Sequence, residues 1–166
     1  WEVLATMTPA DYARMRGGLG GSSGFQADQY RRLEFVMGAR DPKMVKVFDV
    51  EPELQDALRG ELTRPSLYDE ALRILARNGL PVPPERLDRD WSTQPAPSPE
   101  VEAVWTQVYA DTDRWWDLYE LAEKLVDLEY HFQIWRFGHL KTVERVIGFK
   151  RGTGGTAGVP YLARVV

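Results

Sequence analysis

The chain has 166 residues, 43% hydrophobic and 28% charged, the balance of a soluble globular chain long enough for one sizeable core and a small subdomain. Its formal net charge of -4 comes from interspersed acids and bases, so no basic face marks it for nucleic acid. It has no cysteine, which excludes disulfides, thiolate metal sites and a cysteine nucleophile, and no apolar run approaches the roughly 18 residues of a membrane span.

The start, "WEVLATMTPADY", is not a signal peptide, which makes the cytoplasm the default compartment. Trp1 stands where a methionine would begin a chain, so the sequence reads as a fragment. "TPADYARMRGGLG" opens the first helix: Thr8 can cap, Pro9 suits the first helical position, and Asp11 stands where a capping-box acid would. The glycines of 17–24 end it. A second helix is expected over 25–37, with Gly38 as its stop.

Residues 41–60 read as two short helices divided at Pro52. "SLYDEALRILARNG" follows, with Leu67, Ala71, Ile74 and Leu75 on one side and Gly79 at its end. Six of the eleven prolines then fall in 81–99, which reads as an extended connection. These features set off 47–98 as a small inserted helical subdomain, with 1–46 and 99–166 forming the helical core. The stretch 100–147 has no proline and allows a break at "ADTDR". Leu118, Leu121, Leu125, Leu128, Phe132, Trp135, His139, Thr142 and Val146 step alternately by three and four, the seam of a bundle helix. No strand-like alternation competes, and the fold class is all-α.

His139 sits in that seam between Trp135 and Val143. A neutral imidazole in apolar surroundings is what a proximal haem ligand needs. The same pattern accommodates a core histidine bonded to a backbone carbonyl, the commoner state of buried histidines. His131, eight residues earlier, is turned about 80° away on a helix, so two such histidines make a poor metal cage. "GTGGTAG" matches a dinucleotide fingerprint in letters alone, since no strand precedes it and little chain follows. Lys150 lies before the glycines, which rules out a phosphate loop. What remains is a loop with Thr153 and Thr156 that either closes over a polar ligand group or is a solvent-exposed tail. Tyr12 and Arg16 are one helical turn apart and could grip a carboxylate; with Arg14 and Asp11 nearby, surface pairing also fits.

Three stretches, "TPADYARMR", "SSGFQADQYRRLEFVMG" and "DRWWDLYELAEKLVDLEYHFQIWRFGHLKTVERVIGFKRGTGGTAGVPYL", resemble the tryptophan 2,3-dioxygenases, haem enzymes that open the indole ring. The resemblance runs from Trp1 to the C-terminus, strongest at 22–38 and 114–162 and weakest in 47–98. It implies a haem-binding helical bundle with haem b held by His139 as the proximal iron ligand. It implies Tyr12 and Arg16 as carboxylate-binding residues and Thr153 as a contact to the amino-acid end of the substrate. Ser23, Gly24 and Phe25 of "SSGFQ" would line the haem pocket. The implied reaction takes L-tryptophan and O2 to N-formylkynurenine, in the kynurenine pathway of tryptophan catabolism, in a cytoplasmic homotetramer or in an assembly with the N-terminal segment upstream of Trp1.

The family's distal histidine belongs to a segment upstream of Trp1, so no catalytic residue is assigned in 1–166. Gly138 stands where the family commonly has arginine. Two other readings are carried: a related haem-dependent oxygenase adding one oxygen atom to another indole or phenol, and a non-catalytic helical module that binds haem or a partner helix. The second predicts loss of the substrate-binding groups, yet Tyr12, Arg16 and Thr153 are all present.

Overall fold

Cap chemistry sets several helix boundaries among the described residues. In the computed structural model, which describes residues 6–17, 28–48, 51–146 and 159–163, helix α1 is Pro9–Gly17. The Thr8 hydroxyl accepts the Asp11 N–H at 3.2 Å and donates to Asp11 Oδ2 at 2.6 Å, so the expected cap is formed. Helix α2 is Asp28–Met37; the expected start at 25 lies outside the described residues. It stops at Gly38, whose φ of +107° is open to glycine and disfavoured for other residues. There the Ala39 N–H reaches Glu34 O at 2.9 Å and the Gly38 N–H reaches Phe35 O at 3.1 Å, which satisfies two carbonyls of the last turn.

A 3-10 helix, Pro42–Phe48, and helix α3, Pro52–Leu62, occupy the region expected to split at Pro52. Helix α4 is Leu67–Arg77, opened by a reciprocal pair in which the Asp69 carboxylate accepts the Ser66 N–H and the Ser66 hydroxyl accepts the Asp69 N–H. It ends at Gly79, with φ +84° and the same pair of closing bonds. Its buried face is centred on Ala71, Leu72 and Leu75. Leu67 and Ile74, expected to share that face, are only half-buried, and Leu72 takes their place. The proline-rich connection is irregular apart from one turn, α5, Pro84–Leu87. Helix α6, Pro99–Ala110, is capped by Ser98, and α7, Trp116–Val146, follows the break at 111–115. A single turn, α8, is Val159–Leu162. Every regular element among the described residues is helical, and the chain is all-α.

The chain divides into two compact units, Trp1–Ala27 with Asp127–Val166, and Asp28–Val126; the boundary falls inside α7. In Asp28–Val126, Leu72 and Leu75 of α4 pack with Leu80, with Val101, Val104 and Val108 of α6, and with Leu118 at the start of α7. A smaller cluster joins Phe35, Val45, Leu58 and Leu62. Arg40, itself buried, donates to the carbonyls of Leu62 at 2.8 Å and Glu61 at 3.2 Å and so closes the C-terminal end of α3. In the other unit, Phe132, Leu140, Thr142 and Val143 of α7 are buried, as is Val159 of α8.

The strict three-four seam does not survive as one buried stripe. Leu118, Phe132 and Thr142 are buried, but Leu128 is 42% exposed and Trp135 37%. Leu128 lies in the run 126–131, exposed throughout, where the boundary between the two units falls.

Candidate functional site

His139 lies on α7 in the unit formed by Trp1–Ala27 and Asp127–Val166. Its imidazole is half-buried, and burial holds its pKa below the ordinary histidine value, which favours the neutral ring. Trp135, one turn earlier, stacks against it with ring centroids 5.8 Å apart and planes inclined by 27°. Phe132 continues the series, parallel to Trp135 within 2° at 6.0 Å. The Arg136 guanidinium lies 4.3 Å from the Phe132 ring centre. Leu140 and Val143, both buried, stand beside His139 on the helix. Helix α7 runs unbroken through Gly138, whose carbonyl also accepts a hydrogen bond from the Thr142 hydroxyl at 3.1 Å.

His131 is exposed, and its Nδ1 is 2.7 Å from the carbonyl of Asp127, one turn back on its own helix. It does not join His139 in a cage. Among the described residues no group of three or more histidine, cysteine, aspartate or glutamate side chains could hold a bare metal ion. A single neutral imidazole amid aromatic and aliphatic side chains is instead the donor set that suits an iron already held by a flat apolar macrocycle. The residues present fit haem.

Tyr12 is half-buried on α1. Four-residue spacing puts Arg16 on the same face of that helix; its side chain lies outside the described residues. Nearby, Asp11 holds Thr8 and pairs with the exposed Arg14 at 3.8 Å. Arg145, near the C-terminal end of α7, donates to the Met7 carbonyl at 3.5 Å and ties that end to the residues ahead of α1. Tyr12 and His139 thus belong to one compact unit. Ser23, Gly24, Phe25 and Thr153 lie outside the described residues. Sequence reasoning did not single out Trp135 as a partner of the imidazole; its signal was its place one turn before His139 on the same seam.

The family model described as tryptophan 2,3-dioxygenase matches residues 1–65 and 101–166, passing over 66–100. A tryptophan 2,3-dioxygenase of Erythrobacter litoralis (strain HTCC2594) is 61% identical over 166 residues, covering 100% of this chain and 63% of its own length. One from Burkholderia pseudomallei (strain 1106a) is 52% identical over 166 residues and is covered over 54% of its length. One from Burkholderia cenocepacia (strain J2315) is 53% identical over 167 residues and is covered over 53%. The chain therefore spans less than two thirds of these relatives. With both flanks of the passed-over stretch matched, the chain belongs to the tryptophan 2,3-dioxygenase family.

Proposed function

We propose that the protein to which this chain belongs is a haem-dependent dioxygenase that inserts both atoms of O2 across the C2–C3 bond of the indole of L-tryptophan, giving N-formylkynurenine. The observation that carries the reading is the half-buried neutral imidazole of His139 on its aromatic ladder, inside a helix the family model matches. His139 holds haem b through its lone pair; the haem, when bound, supplies the oxygen-activating chemistry.

The remaining work of the chain is orientation. Arg16 offers a two-point fork to the substrate carboxylate, Tyr12 adds a hydroxyl from the same helical face, and Thr153 meets the amino-acid end. Ser23, Gly24 and Phe25 line the haem pocket. Fixing the carboxylate at one end sets where the indole lies, which converts a loose encounter into a directed one. The relatives' greater length leaves room for further active-site residues, the distal histidine among them. We assign 1–46 and 99–166 to the haem-binding core and 47–98 to an insertion; the family model passes over 66–100 but matches 47–65, and the compact unit Asp28–Val126 takes in parts of both divisions. The assembly is a cytoplasmic homotetramer. Among the described residues no helix is long and apolar enough to cross a membrane.

The test is the product. Incubation of the haem-loaded protein with L-tryptophan under isotopic O2 is expected to give a product heavier by two labelled oxygen atoms. A gain of one atom would assign a monooxygenase, and no conversion by a haem-loaded full-length protein would reject both.

A further inference from the structure

The imidazole plane of a histidine is set by a broad torsion with no sharp rotamer preference, so a defined orientation at His139 needs a neighbour to impose it. Side chains on a helix lean towards its N-terminus, which carries the ring of residue 139 over the turn that holds residue 135. The indole of Trp135 is there, stacked on the imidazole at 5.8 Å and 27°. It also lies parallel to Phe132, itself buried, with the Arg136 guanidinium over the Phe132 ring. One end of this ladder is anchored in the interior and the other end is the imidazole. Trp135 keeps 37% of its surface exposed.

We propose that Trp135 is a positioning residue that fixes the plane of the His139 imidazole by stacking on it, so that the ring is preset for the iron before haem arrives. The inference rests on the reading of His139 as the haem ligand. A neighbour that orients a metal-binding histidine usually does so by a hydrogen bond to the second ring nitrogen. An offset aromatic contact adds an orienting force to any such bond.

The chain has two histidines, so the ring protons of His139 can be told from those of His131 by NMR. In the haem-free full chain the stack shifts the His139 ring protons upfield, and Trp135→Leu returns them to the ordinary imidazole position. In the haem-loaded protein, Trp135→Leu shifts or broadens the iron–histidine stretching band and speeds haem loss about tenfold, while Trp135→Phe recovers most of both. Ring protons and stretching band that are unchanged in Trp135→Leu overturn the proposal. If Trp135→Leu loses its circular dichroism signature, Trp135→Phe decides: a reduced upfield shift supports the stack and an unchanged one overturns it. An iron–histidine band that survives in His139→Ala rejects the haem-ligand reading itself, and the haem-free ring-proton shifts still decide whether the stack orients the ring.

Discussion

Arg89 closes on the carboxylate of Asp69 with two donors, Nε at 2.9 Å and Nη2 at 2.8 Å, both on Oδ1. The other oxygen accepts the Ser66 N–H at 2.8 Å and the Ser66 hydroxyl at 2.7 Å. Asp69 is 1% exposed, so this carboxylate is stabilised by protein donors in place of water. The pair ties the proline-rich connection to the first turn of α4.

Removing the carboxylate strips Arg89 Nε and Nη2 and the Ser66 N–H of their acceptor and leaves the cation without its counter-charge, though Nη1 keeps the carbonyls of Asp90 and Thr93. Asp69→Ala is expected to cost about 3–5 kcal/mol of stability, read from urea denaturation. Paired with Arg89→Ala it loses less than the sum of the two single changes, because the cation no longer faces an empty place. A loss under about 1 kcal/mol would show that the pair is not buried in solution.

Two glycines with equal space around them should respond in opposite directions to alanine. A Cβ at Gly79 or at Gly60 meets nothing within 4 Å. Gly79 has φ +84°, so Gly79→Ala is expected to lower stability by about 1–2 kcal/mol. Gly60 lies inside α3 and has no such φ, and Gly60→Ala should raise stability by about 0.5–1 kcal/mol. Thermal unfolding of both variants measures the difference.

Leu72 sits at the centre of the larger cluster with none of its surface exposed. Leu72→Ala is expected to cost about 2–5 kcal/mol, with the denaturant slope unchanged if the surrounding helices keep their places.

The hydroxyl of Tyr109 donates to Glu123 Oε1 at 2.6 Å, and this bond, helped by burial and by the carboxylate charge, pushes the phenol's pKa up to about 12. The folded value lies above the unfolded one of about 10, so the contribution is full below pH 10 and is lost as the pH climbs through the folded pKa. Glu123→Ala should bring the phenolate absorbance change of Tyr109 down towards pH 10, identified by its absence in Tyr109→Phe. An ionisation that stays near 12 would contradict the role given to Glu123.

Much of this fold is legible because helix ends are written in short-range chemistry. Thr8 ahead of Pro9 and the glycines at 38 and 79 each act within a turn of their own position, and each sits at a boundary in the structure. Long-range pairing leaves no such trace. Nothing in spacing joins Asp69 to Arg89, twenty residues on, or Arg40 to the end of α3. The seam of α7 was half legible: alternate steps of three and four mark Leu118, Phe132 and Thr142, which are buried, but carry no sign of the exposed run 126–131 that takes in Leu128. The candidate site divides the same way. His139 stood out as a polar residue on an apolar stripe, whereas Tyr12, Arg16 and Thr153 took their roles from the family resemblance.

The central claim is that His139 binds haem iron. The most direct test is the optical spectrum of the haem-loaded full-length protein beside that of His139→Ala. The account predicts a Soret band in the parent that is lost or displaced in the variant and restored in part by added imidazole. A spectrum identical in the two proteins would contradict it.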